Sequence, residues 1–255
     1  MALILTPLPG MPSVHAGDNL SELTWQAVQR AGISLQDGDI FVLAQKIVSK
    51  AEGRQVNLTN IVPSEEARRL ALATSKDPRL VELNLQESSE ILRTRSGTII
   101  VEHRLGFVCA NAGIDHSNVA GEGNADEEYV LLLPINPDAS ARQLRSLLEQ
   151  VSGVRLGVMI IDSHGRAWRL GTVGVAIGLA GVPGVVDLRG RKDLYGYQLR
   201  ITEVGAADEL AAAASLMMGQ AAEGTPVIHV RGFPYPLRES SLNELLRPKQ
   251  EDLFR

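Results

Sequence analysis

Leu156-Gly-Val-Met-Ile-Ile161, followed at once by Asp162-Ser163-His164-Gly165-Arg166, is the stretch that decides how this chain folds. Its first six residues are an unbroken apolar run of strand length, the pattern of a strand buried on both faces. A carboxylate at the carboxyl end of such a strand stands where sites of α/β type form. Asp162 offers a hard oxygen for Mg2+ or Mn2+, Ser163 a hydroxyl, and Arg166 a guanidinium that neutralises phosphate charge. A strand-terminating turn with solvated polar groups fits the same letters. His164 reads as a turn residue, because no partner histidine has metal spacing.

Elements can be read outward from this run. Upstream, Pro134 and Pro137 bracket a turn, and Asp138 or Ser140 caps a helix over 141–151. Strands are expected at 129–133 and 98–104, with a loop over 110–128 between them. Residues 78–92 read as an amphipathic helix with Leu80, Leu83 and Leu92 on one face, and Pro63 and Ser64 open another over 65–74. A strand over 40–44 follows the Asp37-Gly38-Asp39 turn, and a polar stretch covers 45–57. Near the start, a helix capped by Asp18 or Ser21 runs to residue 29, after a short strand over 3–5. Downstream come a glycine-rich segment over 171–190, a strand near 199–204, and an alanine-rich helix over 206–218 stopped by Gly219. A strand over 226–231 and a charged tail from Glu239, read as a terminal helix, complete the chain.

The 255 residues include 25 basic and 30 acidic side chains, a formal net charge of -5. This mild acidity, without a Lys/Arg block, argues against a nucleic-acid partner. Aromatic residues are 4% of the chain, so the core must be aliphatic. One cysteine, Cys109, excludes an intramolecular disulfide and a multi-cysteine zinc site, and its apolar setting suits an inert thiol. The first residues lack the basic region of a signal peptide. The longest weakly polar run, 172–186, is broken by Pro183 and too short to span a bilayer. A reduced cytoplasmic protein without a membrane partner is expected.

Four further segments carry candidate chemistry. Asn111-Ala-Gly-Ile-Asp115-His-Ser-Asn118 offers a carboxylate for a divalent cation and an amide for phosphate or a base edge, although Asx-turns explain it equally. Lys46-Ile-Val-Ser-Lys50-Ala-Glu-Gly-Arg54 suits polyphosphate, or is a solvated charged loop. It is no P-loop, because GxxxxGK[ST] occurs nowhere in the chain. Arg189, Arg191 and Lys192, among closely spaced glycines, could receive an anionic substrate, whereas tight strand packing explains the glycines alone. Met217-Met218-Gly219-Gln220-Ala-Ala-Glu223 ends a helix in a loop, for which a plain C-cap suffices.

Taken together, Pro9-Gly10-Met11-Pro12, the segment from Gly38 to Arg54, and the segment from Asn111 to Asn118 resemble the F420 γ-glutamyl ligase family. So do Leu133-Pro-Ile-Asn-Pro-Asp138, Asp162 to Arg166, Gly190-Arg-Lys-Asp-Leu-Tyr195-Gly196, Met218-Gly219 and Val230-Arg231-Gly232. The resemblance implies an α+β fold in two interlocked α/β parts, non-Rossmann and without a P-loop. Its parts would be residues 1–80 plus 196–255 and an inserted 81–195. It implies a homodimeric, GTP-dependent ligase that joins L-glutamate to the lactyl carboxylate of coenzyme F420-0 through an acyl phosphate, and that can extend a γ-linked tail. Asp115 and Asp162 would then hold one divalent metal, with Ser163 and Gln220 at a second position, and K+ dependence is a family expectation. Pro9, Gly10, Met11, Pro12, Gln45, Lys46, Lys50, Asn118 and the loop Leu216, Met217, Met218, Gly219, Gln220, Ala221, Ala222 and Glu223 would contact GTP. Lys50 and Arg166 would screen the repulsion between phosphate and carboxylate. Ser163 stands where threonine is usual and Gln220 where some members carry glutamate. The competing expectations are a carboxylate kinase or ligase for another phospho-acid and a non-catalytic nucleotide-sensing module.

Overall fold

A computed structural model describes residues 2–119 and 128–254, so 120–127 of the expected 110–128 loop lie outside the described residues. The chain runs β1 (Ile4–Pro7), α1 (Leu20–Arg30), β2 (Ile40–Ala44), α2 (Gln45–Ala51), β3 (Gln55–Asn57), α3 (Glu65–Thr74), α4 (Pro78–Gln86), β4 (Ser88–Arg95) and β5 (Thr98–His103). It continues with β6 (Val108–Ala110), β7 (Tyr129–Leu131), α5 (Pro137–Ser152), β8 (Gly157–Gly165), β9 (Thr172–Ala180), β10 (Val186–Asp187), β11 (Glu203–Val204), α6 (Ala206–Met218) and β12 (Val227–Arg231). The architecture is mixed α/β. A central sheet of order β1-β12-β2-β8-β9 is joined by a smaller β4-β5-β6 sheet and by the pairs β3-β7 and β10-β11.

The apolar run of β8 is buried on both faces, as its composition requires. Val158 and Ile160 enter one core with Ala141, Leu144 and Leu148 of α5. Met159 and Ile161 enter the opposite core with Ala207, Leu210, Ala211 and Ala214 of α6. β2 lies parallel to β8, from Ile40 opposite Gly157 to Ala44 opposite Ile161. The central sheet thus takes β8 and β9 from the 81–195 segment and β1, β2 and β12 from the flanking ones. Smaller cores lie outside it, one around Ala67, Val81, Ile99 and Val101, the other around Leu58, Leu83 and Val130. The Arg54 guanidinium, 2.7 Å from Glu87, ties this outer layer to the segment after α2.

The glycine-rich segment holds a strand with an irregularity. Ile160 faces Gly178 and Ile161 faces Ala176, so β9 carries one extra residue, Ile177. Strand alternation slips there: Ile177 and Leu179, two residues apart, pack into opposite cores. The glycines follow the slip. A Cβ on Gly174 would stand 2.4 Å from Ser215 Cβ of α6, and one on Gly178 2.5 Å from Pro137 Cβ of α5.

Several expectations are corrected. The α1 cap is Asn19, whose side chain accepts from the Ser21 and Glu22 amides, while Asp18 accepts from the His15 amide. The α5 cap is Asn136; Asp138, expected there, accepts instead from the Leu179 amide. The 78–92 helix stops at Gln86, and Leu92 lies on β4, which pairs with β5. The polar stretch 45–57 contains α2 and β3. β8 does not turn at Ile161 but continues through Gly165, because β9 pairs with it there. From Glu239 onward, two short 3-10 turns, Leu242–Glu244 and Lys249–Glu251, replace the expected helix. Arg238 and Glu244 there reach back to backbone groups of Val185 and Gly184.

Candidate active site

The carboxyl ends of β2 and β8 open into a cleft of about 720 Å3, walled by α2, the 110–118 segment, the end of β8 and the loop after α6. Helical spacing in α2 sorts its side chains. Gln45 and Ser49, four apart, point inward, and the Ser49 hydroxyl donates to Gln45 Oε1 at 2.8 Å. That bond turns the Gln45 amide nitrogen outward, where it donates to Asp115 Oδ2 at 2.9 Å. Lys46 and Lys50 form the second stripe. Lys46 donates to Ser117 Oγ at 2.6 Å and stands 3.5 Å from Asp115 Oδ2. Lys50 donates to the Asn118 carbonyl at 2.8 Å. Burial, then the neighbouring Lys46 charge, lowers the Lys50 ammonium from its ordinary range.

Asp115 is fixed by its backbone, exchanging both hydrogen bonds with Leu131 of β7 at 3.0 and 2.9 Å. The turn before it, Asn111 to Gly113, holds three successive residues at positive φ. Burial raises the Asp115 carboxyl above the ordinary carboxylate range; Lys46 opposes this and the Asp162 charge adds to it. Asp162 and His164 alternate onto one face of β8, with His164 Nε2 3.1 Å from Asp162 Oδ2. The His164 ring leans on Phe107 (centroids 5.2 Å apart), and Phe107 stacks on His103 at 5.3 Å. His103 is 2% exposed and accepts from the Leu105 amide through Nδ1. Burial holds its imidazole down at about 4, against an opposing pull from Glu87.

Ser163 points to the other face of β8 and donates to Gln220 Oε1 at 3.0 Å; Gln220 Nε2 in turn donates to Ser215 Oγ at 3.0 Å. Gly219 adopts φ 74°, and a Cβ there would overlap the Glu223 side chain at 2.1 Å. The Asn118 amide spans the cleft to the Ala221 carbonyl at 3.0 Å. The Cys109 thiol is buried and pushed up to about 12 by desolvation, an inert group as expected.

The structure therefore brings together Pro12, Gln45, Lys46, Lys50, Asp115, Asn118, Asp162, Ser163 and the loop from Met218 to Glu223. Pro9, Gly10, Met11, Leu216 and Met217 are not in the cleft wall; the Gly10 carbonyl accepts from Arg30, and Leu216 is solvent-exposed. Arg166 is also outside it, exposed in the turn between β8 and β9 with its guanidinium toward the Gly171 carbonyl. Residues to which the sequence reading gives no role in the site are Ser49, Ser117, His164 as a partner of Asp162, and Ser215. An i, i+4 pattern in 45–50 and a two-residue alternation in 162–164 carry the signal for the first and third.

Among the described residues no three His, Cys, Asp or Glu side chains gather as a metal-holding group. The donors that line the cleft suit hard divalent cations. They are two carboxylates with a hydroxyl and an amide oxygen, and Mg2+ commonly takes one or two carboxylates while leaving positions to water and phosphate. The Asp162 charge that helps to raise the Asp115 carboxyl is also what a cation between them would relieve. No helix among the described residues is long and apolar enough to cross a membrane.

Residues 10–232 match the family model described as F420-0:Gamma-glutamyl ligase. A protein of Methanothermobacter thermautotrophicus, called coenzyme F420:L-glutamate ligase, is 49% identical over all of both chains. Proteins of the same name from Methanopyrus kandleri and Methanocaldococcus jannaschii are 45% and 44% identical, covering 99% and 96% of this chain and 98% and 94% of their own. With the match running through every wall of the cleft, the chain belongs to the F420-0:gamma-glutamyl ligase family and is a ligase.

Proposed function

We propose that this cleft forms an amide between L-glutamate and the lactyl carboxylate of coenzyme F420-0, driven by GTP, and can lengthen a γ-linked glutamate tail. The observation that carries this is the meeting of Asp115, Asp162, Lys46 and Lys50 around one opening in a chain of this family. A carboxylate is a poor acyl donor, so its oxygen must become a leaving group. The bond from the γ-phosphorus of GTP to its β-bridging oxygen breaks as one to the substrate carboxylate forms, giving GDP and an acyl phosphate. The neutral amine of glutamate then attacks the acyl carbon, phosphate departs, and the amine gives up a proton.

Two cations four residues apart on α2 suit the triphosphate and the meeting of two anions. Gln45, Asn118, Pro12 and the Met218 to Glu223 loop bind and orient the nucleotide, with the Asn118 to Ala221 bond closing one side. Asp115 and Asp162 would hold a divalent cation, with Ser163 and Gln220 at a second position; Mg2+ or Mn2+ there supplies charge neutralisation between phosphate and carboxylate. K+ completes the requirement. Arg166 has no part in this proposal, because it lies away from the cleft. We take the molecule to act as a homodimer, in keeping with the exposure of Leu170, Leu194 and Tyr195, each more than nine-tenths accessible; light scattering tests this.

The deciding assay mixes the protein with F420-0, L-glutamate, GTP and Mn2+ and follows GDP release and product mass. One added glutamyl residue per GDP is expected. GDP without a heavier product would favour a kinase for another phospho-acid, and GTP binding without turnover a sensing module. Asp162→Ala should abolish turnover and Mn2+ binding while its circular dichroism stays that of the parent.

A further inference from the structure

β2 ends at Ala44, opposite Ile161. From Asp162 to Gly165, β8 therefore has β9 as its neighbour in the sheet, and Asp162 and Ser163 lie where β9 lets them lie. That half of β9 is separated from the rest by the extra residue Ile177, so the ladder alone does not fix its register. Two amides flank the irregularity, and each goes to a carboxylate in the first turn of a helix. The Ala176 amide donates to Asp208 Oδ1 of α6 at 2.9 Å, and the Leu179 amide to Asp138 Oδ1 of α5 at 2.7 Å.

We propose that Asp208 is a positioning residue for Asp162 and Ser163: by holding the bulged strand against α6, it sets the free end of β8 at the cleft. It acts through β9 and touches no substrate. The close seat of Gly174 on Ser215 and Ala211 makes the same joint from the steric side. Burial raises the Asp208 carboxyl above its ordinary range, so the group stays there against a desolvation cost. Asp138 clamps the other side of the bulge, but Leu179 faces Met159, which β2 also holds through Val42. Loss of Asp138 should loosen the fold without moving Asp162.

The proposal rests on the ligase reading for its kinetic arm alone. Asp208→Ala, Asp208→Asn and Asp138→Ala are compared with the parent by steady-state kinetics, unfolding midpoint and amide hydrogen exchange of peptides spanning 161–165 and 172–176. Asp208→Ala should lower kcat about 10- to 100-fold, as expected for a displaced reacting group, with the KM for GTP within about twofold. It should also speed exchange in both peptides. Asp208→Asn keeps the acceptor oxygen and should stay within about threefold of the parent kcat. Asp138→Ala should lower the midpoint and leave kcat and those peptides unchanged. Parent-like kcat and exchange in Asp208→Ala overturn the proposal, as do equal losses of kcat in the two alanine variants. A parent that makes no amide removes the ligase reading, and the exchange data still decide whether Asp208 clamps β9.

Discussion

At the scale of single residues, orientation matters more than identity. Gln45 is buried, and its amide has one workable direction because Ser49 occupies its oxygen. Gln45→Leu should leave Asp115 to Lys46 alone and cost about 10- to 100-fold in turnover or Mn2+ affinity, read by steady-state assay and by titration of the metal. Ser49→Ala should cost less, since it frees the amide without removing it. His103 makes a pH prediction. Folded His103 stays neutral down to about 4, whereas the unfolded residue takes up its proton near 6.5. The unfolded state thus binds more protons across that window, so this contribution to stability is whole above pH 6.5 and lost as pH falls through about 4. Denaturation midpoints should fall on acidification across the window, and His103→Phe should remove that part of the slope. The types of Asp115, Asp162 and Lys50 announced chemistry in the sequence. The hydrogen bonds that aim them did not, because Gln45 and Asp115 are seventy positions apart.

At the scale of elements, the clearest expectations came from strong local signals. The helices Glu65–Thr74 and Ala206–Met218 and the strand Ile40–Ala44 have the expected bounds: Ser64 caps the first, the second is an alanine-rich run stopped by Gly219, and the third is an unbroken apolar run after a turn. α2 was hidden because its polar face serves the cleft and Ala44 offers no side-chain cap. β4 was hidden because its leucine and isoleucine continue the spacing of α4, and only pairing with β5 separates them. The β9 glycines serve close contact, in line with the tight strand packing that their spacing allowed. Gly174→Ala would set a methyl 2.5 Å from the Ala211 carbonyl oxygen and 2.4 Å from Ser215 Cβ. This overpacking should destabilise by about 1–3 kcal/mol, seen as a lower midpoint in urea with an unchanged slope.

At the scale of the whole molecule, the outer layer meets the central sheet through apolar packing of Leu105 and Phe107 and through a few polar ties. Arg54 donates to Glu87 at 2.7 Å and to the Leu133 carbonyl at 2.9 Å, and both partners are largely buried. Arg54→Ala leaves Glu87 without its cation and should cost about 3–5 kcal/mol. It should also split one calorimetric transition into two, the β4-β5-β6 layer melting first. Composition foretold an aliphatic core, but not that strands far apart in sequence would share one sheet, since register is a long-range property. One consequence concerns synthesis. β12 lies between β1 and β2, so β1 has no hydrogen-bonded place in this sheet until Val227–Arg231, more than 200 residues later, has been made. A nascent chain can therefore assemble β2, β8 and β9, but the edge of β2 that β12 covers stays open until β12 is made, the interval in which chaperone protection would count most.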